Sequence, residues 1–246
     1  MPLFSDGNAS DIADLRAYDA AVAEIAAAEG VELRAKLDVA MREIGVELEE
    51  FLQRCEGGRA LLSQVVITPA LKQWHVLRTL SLVYGDIHNS HVNRRFEQKW
   101  ADYRTRAKWA AETLFRVGIG LVATPIPKAA IPEIRALPGT LSPGTYFVKV
   151  AWVGAGGETG APSDLAPCSL ASPASLGVRA IDPPEVAVGY HVYLGTAAGQ
   201  LSRQTENSIS VGLEWVAQGA LRIGGGIPDG QQPHRYVRND RILQRG

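Results

Sequence analysis

The residues TPIPKAAIP at positions 124–132 divide the chain into two parts of different composition. Proline fixes the backbone angle φ and has no amide hydrogen to donate, so a proline cluster ends a helical segment. Glycine and proline are sparse before this stretch, whereas more prolines and many glycines follow it. We therefore predict a helical domain over residues 1–121, a proline-rich linker over 122–137, a β domain over 138–233 and a basic tail over 234–246.

In the helical part, apolar residues recur every three or four positions, which is the spacing of one face of an α-helix. Four such stretches are separated by helix stop and start signals, among them Gly30, Gly57 and the pair Thr68-Pro69. Because each helix has one apolar face, we expect an antiparallel four-helix domain. The predicted helices begin at about Ser10, Leu33, Thr68 and Ser90.

The second part shows a strand pattern directly after the prolines. Apolar side chains alternate over residues 145–153, so that Tyr146, Val148, Val150 and Trp152 share one face. Several short strands in succession are typical of a β-sandwich of roughly 100 residues. The fold class that we predict is therefore multidomain α plus β. The later apolar segments, separated by turn residues, are 175–180, 189–194, 209–211 and 213–216.

Composition excludes several classes of protein. The chain has 246 residues, 46% hydrophobic and 21% charged, which is ordinary globular composition. A net charge of −1 excludes nucleic-acid binding through overall basicity but leaves room for a local basic strip. Cys55 and Cys168 form neither a disulfide framework nor a zinc motif. Since neither a secretory signal nor a long apolar run is present, we expect a soluble protein made in the cytoplasm, without membrane contact.

Motifs for catalysis or metal binding are weak. Among the histidines His75, His88 and His91, the last two are spaced i, i+3 and could face one metal ion, but only Asp86 lies near as a further ligand. No Gly-x-Ser-x-Gly turn or phosphate-binding loop is present, and the glycine-rich stretch 154–160 does not lead into a helix. We predict no catalytic residue, no metal and no cofactor. A small hydrolase is the enzymatic alternative, which the missing motifs disfavour.

Charge is distributed unevenly along the helical part. Residues 1–56 contain 13 Asp or Glu and 5 Lys or Arg, whereas the fourth predicted helix is basic. Three interpretations stay open: the segments neutralise each other within the domain, copies of the chain meet acidic to basic around a ring, or the basic helix faces DNA. The candidate interaction residues on this helix are Arg94, Arg95, Arg104, Arg106 and Lys108.

The tail combines arginines with apolar residues. Arg235, Arg238 and Arg241 alternate with Tyr236, Val237, Ile242 and Leu243. A fully solvated end would need no such apolar residues, so two interpretations stay open: a disordered end, or an arm that docks on a neighbouring copy. The candidate interaction residues in the tail are Arg235, Arg238 and Arg241.

Three segments of the helical half share a pattern and a helix order with a known family: 11–18 (DIADLRAY), 84–88 (YGDIH) and 95–103 (RFEQKWADY). In these features the helical half resembles the head–tail connector (adaptor) proteins of tailed bacteriophages. The resemblance implies a homo-oligomeric ring, commonly dodecameric, in the neck of the virion. It also implies contact with the portal protein, with tail or tail-terminator proteins and with DNA in the exit channel.

Three segments of the β part also carry a known pattern: 141–153 (LSPGTYFVKVAWV), 157–163 (GETGAPS) and 189–196 (GYHVYLGT). They resemble the fibronectin type III and Ig-like modules of phage virion proteins. The pair Thr159-Gly160 departs from the usual turn, and the cysteine pair of antibody domains is absent. Such modules decorate or bind and carry no catalytic residues. The two resemblances together imply a structural virion protein. The alternative is a tail or baseplate protein whose sandwich binds a host-cell glycan or protein.

Overall fold

A computed structural model describes residues 1–91, 94–217 and 219–238 of the chain. The described residues fold into five α-helices and several antiparallel sheets. The chain divides into two compact units. The helical unit comprises residues 7–122 and the segment from Pro233 onward, and the β unit comprises residues 1–6 and 123–232. No helix in the described ranges is long and apolar enough to cross a membrane.

The helices are α1 (Ile12–Tyr18), α2 (Val22–Ala28), α3 (Leu33–Glu56), α4 (Pro69–His91) and α5 (Glu97–Val117). The first predicted helix was wrong in extent, because it is divided into α1 and α2. The break lies at Asp19, which has an extended backbone and directs its carboxylate into the core. The start at Ser10 was also displaced, since Asp11 caps α1 through a reciprocal pair of hydrogen bonds with Asp14.

The end of α3 agrees with the sequence prediction. Gly57 caps this helix with φ of +59°, a left-handed conformation that glycine adopts without steric cost. Helix α4 packs on both α3 and α5, and its Trp74 side chain is fully buried between them. Phe115 of α5 stacks on Phe51 of α3 at 4.7 Å and meets the edge of Trp74 at 5.6 Å. These contacts join the three long helices around one aromatic core.

Ten strands occur in the described residues, and all of their pairings are antiparallel. A short sheet pairs β1 with β10, and two larger sheets have the orders β2-β5-β9 and β4-β3-β6-β7, with β8 also on β6. The strands are β1 (Ile119–Leu121), β2 (Glu133–Leu141), β3 (Gly144–Gly154), β4 (Ala166–Leu170), β5 (Ala174–Arg179), β6 (Ala187–Gly195), β7 (Ser202–Arg203), β8 (Ile209–Ser210), β9 (Trp215–Val216) and β10 (Arg235–Val237).

The pairing of β1 with β10 changes the predicted order of the domains. Ile119 pairs with Val237 and Leu121 with Arg235, so the segment after the β unit returns to complete the helical unit. The β unit is therefore inserted between β1 and β10, rather than appended after the helices. The predicted boundaries were placed by local composition, which carries no signal for a pairing between such distant segments. For the same reason the predicted linker missed that β2 begins at Glu133 within it.

The two larger sheets share one apolar core. Tyr146, Val148, Val150 and Trp152 of β3 are all buried in it, as the alternation predicted, together with residues of the facing sheet such as Leu176 and Val178. The edge of Trp152 meets the ring of Tyr190 at 6.1 Å. Tyr193 lies on the other face of β6, in a separate cluster with Ala151 and Leu201.

Candidate interaction surface

The predicted interaction residues divide into three groups. Arg95, Arg104, Arg106 and Lys108 are exposed, on α5 or in the turn before it, and Arg238 is exposed in the C-terminal segment. Arg94 belongs to that turn, but its side chain lies outside the described residues, as Arg241 does entirely. Arg235 is held within its own chain, because its guanidinium forms 3.0 Å hydrogen bonds with both carboxylate oxygens of Glu56.

The Arg235–Glu56 pair corrects one interpretation of the tail. A bidentate arginine–carboxylate pair is among the more directional ion pairs, and here it stands beside the β1–β10 pairing. Val237 adds a buried apolar side chain two residues later. The beginning of the tail therefore docks on its own helical unit, although the Arg235 side chain stays about half exposed.

Acidic residues of segment 1–56 pair with α4 as well as with α5. Asp14 pairs with Lys72 of α4 at 2.8 Å, and Glu43 pairs with Arg78 of α4 at 2.7 Å. Lys99 is the α5 cation that reaches the acidic segment, at 2.6 Å from Asp19. Some carboxylates of the acidic segment are therefore paired within the helical unit, by α4 as well as by α5.

The exposed α5 cations Arg106 and Lys108 form weak pairs along their own helix. Arg106 lies 3.6 Å from Asp102 and Lys108 lies 4.0 Å from Glu112, both pairs exposed and one helical turn apart. Exposed pairs of this kind contribute about 0.3–0.5 kcal/mol, because water screens them and long side chains lose entropy. The Arg104 guanidinium lies over the ring of Trp100 at 5.8 Å. These contacts orient the cations and leave their charge available to a partner.

A buried carboxylate links α1 to α4 and α5. Asp19 accepts hydrogen bonds from the Tyr84 hydroxyl at 2.5 Å and the Tyr103 hydroxyl at 3.3 Å, and it pairs with Lys99. Burial opposes ionisation of Asp19, but the hydrogen bonds from Lys99 and Tyr84 outweigh it and lower the pKa of the carboxyl group. Burial and the nearby carboxylate raise the pKa of Tyr103 to about 12, so the phenol remains a donor. The cluster therefore has a structural role, because its side-chain bonds join the end of α1 to α4 and α5.

His75 has a structural role as well. This fully buried ring on α4 receives a hydrogen bond at Nδ1 from the Ser10 hydroxyl at 2.7 Å, while Nε2–H donates to the Leu37 carbonyl at 3.0 Å. Both ring nitrogens are used by a neutral imidazole, and burial lowers the pKa of His75. His88 stacks on Trp100 at 5.3 Å, and the side chain of His91 lies outside the described residues. Within the described ranges, no three His, Cys, Asp or Glu side chains are grouped to hold a metal ion.

His75 is expected to make stability fall as the pH is lowered. Because its folded pKa lies below 6.5, the unfolded chain takes up a proton as the pH passes below about 6.5, while the folded chain resists it. The slope from one such group reaches at most about 1.4 kcal/mol per pH unit. Urea unfolding from pH 7.5 to 5 should show this loss for the wild type and a shallower dependence for His75→Gln, since glutamine does not titrate. Equal slopes for the two proteins would refute the assignment.

A groove of about 580 Å³ lies in the β unit, lined by residues 204–209, 214–217 and 219–222. The buried side chain of Gln204 in this lining is already hydrogen-bonded: it donates to the Ser202 carbonyl at 2.9 Å and accepts from the Arg222 amide at 2.9 Å. Among the described residues of the β unit, the strongly exposed large apolar side chains are aliphatic. An exposed aromatic platform of the kind that stacks on sugars is therefore not found in that part of the chain.

Sequence reasoning missed several exposed apolar residues of the helical unit, among them one on α5 and one on α3. Trp109 on α5 is 54% exposed and Val46 on α3 is 66% exposed. A signal for Trp109 was available, because it falls off the apolar stripe formed by Tyr103, Ala107 and Ala110. Val46 likewise lies off the buried face of α3, which includes Ile44 and Leu48.

A scan for known protein families finds no match to this chain, and a search of curated proteins finds no significant relative. What the chain does is therefore inferred from its own residues and geometry.

Proposed function

We propose that this chain is a structural, non-enzymatic virion protein: a head–tail connector that forms a ring between the portal and the tail of a tailed phage. The observation that carries the proposal is the charge arrangement of the helical unit. Two of its acidic residues, Asp14 and Glu43, pair with α4, while α5 presents Arg104, Arg106 and Lys108 to solvent. Exposed charge of this kind suits binding and assembly.

The buried polar groups of the helical unit support a structural rather than a catalytic role. Asp19 and His75 are both bonded to side chains or backbone of other helices or of the segment before α1. In the described residues, no buried side-chain nitrogen or oxygen lacks a hydrogen-bond partner. Buried bonds between separate segments stabilise a fold, which supports a structural role for both clusters.

The β unit is proposed as an Ig-like or fibronectin III-like module that decorates or braces the assembly. Two antiparallel sheets with a shared core support this assignment. The turn resembling that of phage modules is held to β3, since Ser163 accepts from the Val150 amide at 3.1 Å and its own amide donates to the Val150 carbonyl at 2.7 Å. Host-surface binding is the alternative; the aliphatic character of the unit's exposed apolar residues does not favour it.

Purified particles of the phage or prophage whose genome encodes this chain test the proposal. Mass spectrometry of the particles should detect the chain, and native mass spectrometry should show stoichiometric binding to the portal ring of the same genome. Portal binding is expected even if the protein is monomeric alone, because a ring template raises the effective concentration of neighbouring copies. A chain absent from particles, or one that ignores the portal and binds host cells, would refute the connector function.

A further inference from the structure

One of the two larger sheets of the β unit has charged side chains of a single sign. Its strands β3, β4, β6, β7 and β8 contain no aspartate or glutamate, and their basic residues are Lys149, His191 and Arg203. Val148 and Val150 lie in the core between the sheets. Because side chains alternate along a strand, Lys149 lies on the opposite, outer face of this sheet.

The strand register places the three basic residues around one tyrosine. Lys149 of β3 pairs with Tyr193 of β6, and Tyr193 pairs with Arg203 of β7. Cross-strand partners project from the same face of a sheet, with Cβ atoms about 4.5–5.5 Å apart. His191 precedes Tyr193 by two residues on β6, so it shares that face at a distance of about 7 Å along the strand.

The Arg203 guanidinium acts on both β6 side chains. Burial lowers the pKa of His191, and the charge of Arg203 lowers it further. Burial raises the pKa of Tyr193 to about 12, while the same arginine charge opposes that rise. Arg203 is therefore close enough to both groups to influence them electrostatically, and the Tyr193 hydroxyl keeps its proton at neutral pH.

These side chains leave hydrogen-bond donors unused. The Tyr193 ring is 2% exposed and packs with Ala151 and Leu201. Within the described ranges, neither the Tyr193 hydroxyl nor the side-chain nitrogens of Lys149 and Arg203 have a hydrogen-bond or ion-pair partner. Since every fully buried side-chain oxygen of these ranges has a partner, the Tyr193 hydroxyl must reach the surface beside the two cations.

His191 contributes a further donor. Its Nδ1 lies 2.8 Å from the Thr205 hydroxyl oxygen, which itself accepts from the Val192 amide at 3.4 Å. We assign the hydroxyl hydrogen to Nδ1, which places the ring proton on Nε2 and makes that atom a donor.

Nearby carboxylates do not neutralise this group. Asp164, which lies shortly before β4, pairs with Lys128 at 2.6 Å. Glu206, which follows β7, pairs with Arg222 at 3.4 Å. A group of donors with net positive charge and no internal counter-charge favours an external anion with several acceptor oxygens.

We propose that Lys149, His191, Tyr193 and Arg203 form a binding site for a phosphate-type oxyanion on the outer face of the β unit. A tetrahedral oxyanion presents acceptor oxygens in several directions, which suits donors that come from three neighbouring strands. The site goes beyond the proposed decorating or bracing role of the β unit. It can be measured on the isolated protein, so its outcome is separate from whether the chain is found in virions.

Titration of the full chain with inorganic phosphate, followed by NMR at constant ionic strength, tests the site. Phosphate should shift the amide signals of Tyr193 and Arg203 saturably, whereas chloride should not. Arg203→Gln should weaken phosphate binding by about tenfold or more, because it removes a charged, bidentate donor. Arg179→Gln is the matched control and should leave the affinity unchanged, since this exposed arginine belongs to the other sheet and pairs with Glu133.

Tyr193→Phe separates binding from packing. The variant keeps the buried ring and removes the hydroxyl, so phosphate binding should weaken several-fold while the urea unfolding midpoint stays unchanged. Shifts that do not saturate, shifts that chloride reproduces, or a phosphate affinity unchanged in both Arg203→Gln and Tyr193→Phe would overturn the proposal.

Dimethyl phosphate identifies the source of the oxyanion. If it binds as tightly as inorganic phosphate, the site accepts the phosphodiester of a polymer. If it binds much more weakly, the site takes a free or terminal phosphate group. Both results support an oxyanion site, provided that Arg203→Gln weakens the binding of the anion that is bound.

Discussion

Asp19→Ala is expected to lower the free energy of unfolding of the helical unit by about 3 kcal/mol, because it removes one partner from a buried hydrogen-bonded ion pair. The substitution leaves the Tyr84 and Tyr103 hydroxyls without their acceptor and Lys99 without its counter-charge. It also removes the residue at which the chain turns between α1 and α2. Urea unfolding followed by circular dichroism at neutral pH measures the loss.

Asp86→Ala is the matched control for this prediction. Asp86 also pairs with a lysine, Lys36, but its side chain is half exposed, so water screens the pair. Its removal should lower the free energy of unfolding by about 1 kcal/mol or less. If Asp19→Ala lowered the free energy of unfolding no more than Asp86→Ala does, the buried Asp19 cluster would not stabilise the unit.

The contribution of Asp19 has a defined pH dependence. Its pKa is lower in the folded chain than the ordinary 3.8, so its stabilisation is complete above that value and declines as the pH falls through it. The difference in stability between wild type and Asp19→Ala should therefore be constant near neutrality and shrink below about pH 4. This pH range lies below the range in which His75 is expected to affect stability.

Trp152→Ala is expected to destabilise the β unit by about 3–5 kcal/mol, since it leaves a large cavity between the two sheets. Trp152 is only 2% exposed and packs edge-to-face on Tyr190. Hydrogen exchange measured on peptides from β3 and β6 should show faster amide exchange as the local unfolding free energy falls.

Trp109→Ala provides the same chemical change at an exposed position. Because this side chain is 54% exposed, its loss should change the stability of the isolated chain by about 0.5 kcal/mol or less. Comparable destabilisation by the two tryptophan variants would contradict the assignment of Trp152 to the core and Trp109 to the surface.

Local periodicity accounts for the parts of the fold that could be predicted. The 3–4 repeat between Leu33 and Leu52 and the alternation from Tyr146 to Trp152 each identify an element and its buried face, because side-chain direction repeats with the backbone. Both buried faces are as predicted. The interruption at Asp19 was not predictable, since one aspartate within an amphipathic stretch is indistinguishable from a solvated residue until its distant partners are known.

The candidate surface was predictable in part from local composition and helical periodicity. The charge bias of the acidic segment and of α5 is a property of composition, and the exposure of Arg104, Arg106 and Lys108 follows from their positions off the apolar stripe. Which charges are already paired depends on neighbours brought from elsewhere in the chain. Arg235 illustrates this, because its partner Glu56 lies at the end of α3.

Local patterns were sufficient to predict the division into a helical and a β part, the type of most elements and the buried face of β3, because these depend on interactions over a few neighbouring residues. The folded structure was needed to establish that the β unit is inserted between β1 and β10 and that His75 and Asp19 bond segments of the helical unit to one another. It also decided that Val46 and Trp109 remain exposed. Strand pairing, burial and ion pairing between distant segments depend on how the whole chain folds. Such long-range contacts produce no local sequence pattern from which they could be predicted.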